Sequence, residues 1–359
     1  MVLKLHELVD SARQEEKLPG IIGERCVHSK IETACCKACV ESCPRHAWLL
    51  DGEALRLDAG ACDGCGLCVP ACPEGAINCR HEIMIGQWRG SSLAICACEY
   101  VDSKDNEGVI PCIHAIGLQD VLKLYQTGIV DWAVATADCQ SCQRGQGMHL
   151  SDRVDSINRA LRRDGCCEIR LSRRSLMDWQ RLKQEIGDCS TDRRLSRRGF
   201  LRGFVNTARQ YGVELFELSD DKQAPFTPPG QMLPNKTETT LWPYLPVIDS
   251  RICNGCDACV KLCPHHAIQL LEADEQSSYR LNPQACSGCG VCVDVCEQQA
   301  VSLYEWKRQL QQELLLKKFR CSYCGNLFHI PTGQPVDTER VCRVCARYRH
   351  NNNLYQVLN

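Results

Sequence analysis

The chain has 359 residues, 30 of them Cys, with 44% apolar, 24% charged and 6% aromatic residues and a formal charge of −2. About 8% Cys places it among chains built on cysteine chemistry, but runs two and three residues apart argue against a secreted disulfide scaffold. No stretch approaches about 18 apolar residues, and Lys4, His6, Glu7 and Asp10 stand where a secretory leader would be apolar. A cytoplasmic, metal-rich protein of about two to three domains, without a membrane span, is expected.

In chain order, residues 1–21 read as an N-terminal helix and 22–87 as a first cysteine-rich domain. The latter holds Cys36, Cys39 and Cys43-Pro44, then Cys62, Cys65, Cys68 and Cys72-Pro73. Between the runs, Asp51-Gly52 joins two short apolar segments, a strong hairpin signal. Residues 88–172 alternate expected strands (93–98, 109–112, 132–137, 169–171) with helices (118–125, 152–163), the signature of a small parallel α/β layer. Residues 173–245 read as a basic helix and a Pro-rich linker. A second cysteine-rich domain, 246–304, holds Cys253, Cys256, Cys259 and Cys263-Pro264, then Cys286, Cys289, Cys292 and Cys296, around a longer hairpin over 268–281. Residues 305–359 read as a helix, over 304–319, followed by a zinc-ribbon-like knuckle. The expected class is α+β multidomain: two ferredoxin-like dicluster domains flanking a small α/β parallel-sheet domain, plus a C-terminal zinc ribbon.

Thiolates two residues apart reach three corners of one cubane, and a C-x2-C-x2-C-x3-C run sends its fourth Cys to the other cluster. On that rule Cys253, Cys256, Cys259 and Cys296 hold one [4Fe–4S] centre, and Cys286, Cys289, Cys292 and Cys263 hold another. Zinc knuckles are the alternative; the doubled runs, the prolines and the hairpin favour iron–sulfur. Both halves resemble bacterial two-cluster ferredoxin domains, over residues 22–82 and 246–304. Glu297 replaces the usual Pro after Cys296, which predicts a changed local turn with ligation kept. The first pair departs from the pattern, because Thr33 stands where its opening Cys belongs. Cys26, Cys36, Cys39 and Cys72 are the expected set there, similar to ferredoxins that loop out before their first ligand. Cys35 is the other candidate, and a three-iron cluster follows if neither binds. Cys62, Cys65, Cys68 and Cys43 complete a total of four [4Fe–4S] clusters.

In an open parallel sheet, ligands gather at the carboxyl ends of the strands. Cys96 and Cys98 end the first expected strand, Cys112 the second, and Cys139 and Cys142 follow the third. This layout resembles the delta subunit of methyl-viologen-reducing hydrogenase. That resemblance implies a [2Fe–2S] centre on Cys98, Cys112, Cys139 and Cys142 and an electron relay toward heterodisulfide reductase. Buried structural thiols are the alternative. Cys321-x2-Cys324 and Cys342-x2-Cys345 frame a closed S4 site, read as structural Zn; rubredoxin-type iron has the same ligands, but the second knuckle lacks its Pro and Gly. His329 and His350 read as bystanders, and Arg340, Arg343, Arg347 and Arg349 as a solvated face. Cys35, Cys79, Cys166, Cys167 and Cys189 share no spacing and read as packing thiols. Residues 196–201 resemble a twin-arginine export motif, but they lie deep inside the chain and Arg202, Asn206 and Arg209 interrupt the apolar stretch it requires.

Small dicluster domains bury little surface, so their clusters belong to the folding free energy. No G-x-G-x-x-G or Walker fingerprint is present, which places any flavin or nicotinamide on a partner. The expected role is a multi-cluster electron-transfer protein passing single electrons between a donor oxidoreductase and an acceptor. It reads as a carrier subunit of a redox complex (with hydrogenase, formate dehydrogenase or heterodisulfide-reductase-like partners) more than as a stand-alone enzyme. The alternatives are a thiol or disulfide enzyme at the central cysteines and a protein binding nucleic acid or a client through its basic stretch, from Arg153 to Arg209. That stretch is read first as offsetting cluster charge or docking an acidic partner, so nucleic acid is not expected.

Overall fold

The computed structural model describes residues 18–51, 54–101, 107–145, 147–191, 214–217, 226–273, 276–334 and 340–348. The chain divides into two compact units: Met1–Lys30, Lys37–Thr227 and Met232–Lys236 form the first, and Ile31–Cys36, Pro228–Gln231 and Thr237–Asn359 the second. Among the described residues no helix is long and apolar enough to cross a membrane.

The first unit opens with β1 (Gly20–Ile21), whose partner is the later strand β4 (Ile77–Asn78). Of the helix expected over 1–21, residues 1–17 lie outside the described residues, and Gly20–Ile21 is a strand rather than a helix. Pro19-Gly20 disfavours helix at this point, and the missing Cβ of Gly20 leaves room for the Asn78 side chain. A helical turn, α1 (Ala38–Glu41), precedes the expected hairpin, which forms as β2 (Trp48–Asp51) and β3 (Ala54–Leu57). A second turn, α2 (Cys68–Ala71), follows. Trp48, Cys68 and Ile77 form a small core with Val40, Leu55, Leu57 and Val69.

The chain then builds a six-stranded sheet from β5 (Glu82–Trp88), β6 (Ser91–Cys98), β7 (Val109–Ile110), β8 (Asp131–Ala135), β9 (Arg170–Arg174) and β10 (Glu214–Glu217). The order is β10-β5-β6-β8-β9, with β7 paired to the end of β6. The expected parallel layer is present: β7 and β8 run parallel to β6, and β9 runs parallel to β8. Two antiparallel strands extend it beyond the sequence reading, since β5 pairs with β6 and β10 with β5. Helices α3 (Leu118–Gln126) and α4 (Leu150–Arg163) connect the parallel strands. Each has an Asp three residues past its N-cap that accepts the cap N–H: Asp120 from Gly117 at 2.8 Å and Asp152 from His149 at 3.2 Å. Leu150, Val154, Ile157 and Leu161 give α4 its buried stripe. Helix α5 (Leu176–Thr191) lays Leu182 and Ile186 against Met84, Leu93, Ile95 and Ala133. A Cβ on Gly86 would collide with Ile186, so the glycine sets how closely helix and sheet approach.

In the second unit β11 (Leu241–Ile248) begins inside the segment read as linker and pairs with β14 (Val301–Arg308). Pro243 and Pro246 hid it, yet a two-stranded ribbon has free edges that tolerate proline. Between them lie the turns α6 (Ala258–Lys261) and α7 (Val291–Asp294) and the expected hairpin of β12 (Ile268–Leu271) and β13 (Ser277–Leu281). The helix expected over 304–319 is a correction: this segment is the end of β14 and most of β15 (Glu313–Arg320). Leu314 and Leu316 are buried and Leu315 is exposed, so the Leu-rich run alternates once the edge of β13 is there to pair with it. β15 turns back into β16 (Leu327–Pro331), giving the order β12-β13-β15-β16, and α8 (Arg343–Tyr348) follows.

Candidate metal centres

One turn recurs four times, once after each cysteine run. The third residue past the closing cysteine has a left-handed backbone: His46 at φ 50°, Gly75 at 57°, His266 at 52° and Gln299 at 53°. The fourth is an alanine whose N–H donates to the cysteine sulfur: Ala47 to Cys43 at 3.3 Å, Ala76 to Cys72 at 3.2 Å, Ala267 to Cys263 at 3.1 Å and Ala300 to Cys296 at 3.2 Å. All four alanines are buried. An N–H aimed at sulfur suits a thiolate that ligates a metal, and such bonds tune iron–sulfur potentials. Glu297 leaves this turn intact, contrary to the expectation from its sequence. The turn makes its special demand on the third residue, and any L-residue can adopt the backbone that proline favours.

In the second unit the thiols gather in two sets. Cys253 has Cys256 and Cys296 as electrostatic neighbours, and Cys259 has Cys253, Cys256 and Cys296 together with Cys292 of the other run. Cys292 has Cys286, Cys289 and Cys263. Gly255 (φ 69°), Asp257 (61°), Gly288 (87°) and Gly290 (80°) curl the four x2 loops, two in each run, through left-handed backbone. Asp257 Oδ1 accepts from Tyr279 Oη at 2.6 Å and lies 2.8 Å from His329 Nε2. Burial works against this carboxylate, but those partners hold it below the usual range. His329 stands apart from the four C-terminal thiols and instead ties β16 to the 253–259 loop.

In the first unit Cys62 and Cys68 both have Cys43 as an electrostatic neighbour, and Cys68 also has Cys65. Burial pushes the Cys65 thiol up to about 12. Cys79, read as packing, lies beside Cys62 and Cys68, buried and raised to about 11; no spacing signalled it. Cys39 and Cys72 border the core of Trp48, Cys68 and Ile77. Cys26 is half-buried between two short 3-10 turns. Cys36 is half-buried, whereas Cys35 is exposed with its thiol on the Thr33 carbonyl.

The central thiols also converge. Cys112 neighbours Cys98 and Cys139, and Cys139 neighbours Cys98 and Cys142. Cys96 is fully buried. Beside these thiols Arg144 is 4% exposed. Its Nε donates to Asp63 Oδ2 at 2.8 Å, and its Nη1 to Glu99 Oε1 at 2.5 Å and to the Pro111 carbonyl at 2.9 Å. Its guanidinium lies 4.8 Å from the Tyr100 ring centroid. Asp63 is held below the usual carboxylate range by Arg144 despite its burial. His114, two residues past Cys112, accepts from the Leu150 N–H at Nδ1, so Nε2 carries its proton. Burial lowers both His81 and His114 to about 4, with His149 and Arg153 adding to the effect at His114. Both nitrogens of His81, and Nε2 of His114, have no hydrogen-bond partner among the described residues.

At the C-terminus the Cys321, Cys324, Cys342 and Cys345 sulfurs all lie within 4.8 Å of one another. Cys324 and Cys342 sulfurs are 3.7 Å apart, which suits a tetrahedral S4 ion. Backbone N–H groups of Cys324 and Cys342 lower the Cys321 thiol to about 6. The arginines here are exposed, as a solvated face requires, and make surface contacts: Arg343 donates to the Cys256 carbonyl, Arg347 pairs with Glu297 at 3.3 Å, and Arg340 lies over Phe319. His350 and Arg349 lie outside the described residues, as do Arg193 to Arg209 and the 196–201 motif.

Comparison with known families agrees with this geometry. A 4Fe-4S dicluster domain matches residues 252–300. A 4Fe-4S binding domain matches residues 55–78, within the first cysteine-rich segment but short of its opening run. No curated protein matches the chain. The chain carries two 4Fe-4S ferredoxin-type domains, and these support an iron–sulfur electron-transfer role.

Proposed function

We propose that this protein is a multi-centre electron carrier, the iron–sulfur subunit of a redox complex that passes single electrons from a donor oxidoreductase to an acceptor. The fourfold N–H···S turn carries this reading, because it prepares all four runs in the same way to hold thiolates. Cys253, Cys256, Cys259 and Cys296 hold one [4Fe–4S] cluster, and Cys286, Cys289, Cys292 and Cys263 a second. Cys62, Cys65, Cys68 and Cys43 hold a third; Cys26, Cys36, Cys39 and Cys72 hold a fourth. Cys26 is preferred to Cys35 because Cys35 is exposed and spends its S–H on a carbonyl. Cys98, Cys112, Cys139 and Cys142, which converge at the strand ends, hold a [2Fe–2S] cluster. Cys321, Cys324, Cys342 and Cys345 hold a structural zinc.

When bound, these clusters supply one-electron chemistry. The protein's own part is to keep the thiolates apart from water, donate N–H groups to sulfur, and set the local charge. The partners that fit are redox proteins of the hydrogenase, formate dehydrogenase or heterodisulfide-reductase-like kind. Anaerobic purification with iron, sulfide and zinc counts, followed by EPR during stepwise reduction, tests the reading. About eighteen irons and one zinc are expected from these ligand sets. About sixteen would remove the central cluster, and eight or fewer with several zincs would overturn the electron-carrier reading.

A further inference from the structure

We propose that Arg144 fastens the central thiols to the 62–65 loop, so that the centre on Cys43, Cys62, Cys65 and Cys68 is the immediate electron partner of the centre on Cys98, Cys112, Cys139 and Cys142. The proposal rests on the [2Fe–2S] reading of the central thiols. Each bond of this buried guanidinium lands next to a cysteine. Asp63 sits between Cys62 and Cys65, Glu99 follows Cys98, Pro111 precedes Cys112, and Arg144 itself is two residues past Cys142. One side chain thus ties three cysteine loops of the central set to a fourth from the ferredoxin-type domain.

Packing closes the same junction. Cys65, Leu67 and Cys112 form one buried apolar cluster. Gly66, at φ 75°, has no Cβ; one there would collide with His81 and press to 3.2 Å on Ala115, in the turn that follows Cys112. The glycine therefore brings the ferredoxin loop onto the central loop without a side chain between them. One electron leaves one centre and enters the other; no bond to the protein forms or breaks. Arg144 also places its charge on both thiol sets, acting on Cys62, Cys65 and Cys112. A positive charge stabilises the more reduced state, so it raises the potential of whichever centre feels it.

Removing one partner of a buried ion pair destabilises whatever its role, because the carboxylates of Asp63 and Glu99 lose their counter-charge, so stability alone cannot test this role. The test is EPR on the anaerobically purified full chain, comparing wild type, Arg144→Met and Arg144→Lys at poised potentials. In wild type the two-iron signal should relax faster once the neighbouring cubane is reduced. Arg144→Met should keep its iron and sulfide, lose that acceleration and show a lower two-iron potential; Arg144→Lys should regain part of both. Acceleration and potential unchanged in Arg144→Met would overturn the proposal. A wild-type two-iron signal insensitive to cubane reduction overturns the pairing alone, whereas no two-iron signal at all overturns the central cluster and the pairing with it. If Arg144→Met fails to fold, Glu99→Gln removes one anchoring contact and should weaken the acceleration in the same direction, while the two-iron potential should rise because a negative charge is lost; an unchanged acceleration there counts against the proposal.

Discussion

The backbone N–H of Ala300 lies 3.2 Å from Cys296 Sγ, although Glu297 stands where the other three runs have proline. That bond favours the more negative, reduced state of any cluster on Cys296. Ala300→Pro removes the donor, and redox titration followed by EPR should find one second-unit centre at a lower potential. Glu297→Pro should leave the potentials where they are.

Gln299 bears the cost of the turn, with φ at 53°. Gln299→Gly should be neutral or stabilising by up to about 1 kcal/mol, while β-branched Gln299→Val should cost about 1–3 kcal/mol. Denaturant midpoints of the holoprotein, read by visible absorbance, check both values. Equal midpoints would mean that the turn relaxes freely.

His81 is buried and lowered to about 4. Below the ordinary value of 6.5 the unfolded chain takes up a proton that the folded ring refuses, so stability falls as pH drops from 6.5 toward 4. The slope for one such group is at most about 1.4 kcal/mol per pH unit. His81→Leu should shrink the difference between urea midpoints measured at about pH 5 and pH 7. An undiminished difference would show that the folded ring takes up the proton as readily as the unfolded one.

Gly86 faces Ile186 with no room for a Cβ. Gly86→Ala should destabilise by about 1–3 kcal/mol, and Ile186→Ala in the same chain, which removes the Cγ2 methyl that the new Cβ would meet, should cost less than it does alone. Thermal or chemical unfolding of the two single variants and the double variant reads this directly, and strict additivity would refute the contact.

The four C-terminal thiols should hold one zinc tightly enough to survive gel filtration in EDTA. Cys345→Ser should lose the zinc, and hydrogen exchange should then rise in β15 and β16 by far more than in β12. Metal analysis and peptide-level exchange measure both outcomes. Colour from mononuclear iron in place of zinc would correct the ion but keep the site.

Much of this was legible because cysteine spacing encodes ligand geometry directly. The runs, the hairpin at Asp51-Gly52 and the parallel strands around Cys98 and Cys112 could all be read locally. The 304–319 segment misled because Leu314, Leu315 and Leu316 satisfy a helical period as well as an alternating one; only the edge of β13 decides between them. Arg144 was invisible, since its partners lie between 33 and 81 residues away and a lone arginine has no spacing to read. The alanine four places after each closing cysteine was in plain view at 47, 76, 267 and 300, but its meaning needed the N–H···S bond.

The strand order β12-β13-β15-β16 has a practical consequence for anyone dividing this chain. A fragment ending near residue 304, where the dicluster pattern ends in sequence, would strip β15 from β13 and uncover Leu281, Tyr279 and their backbone edge. Such a fragment is expected to self-associate through that edge. The smallest well-behaved piece should run at least to Pro331, and with the thiol knuckle intact to Tyr348.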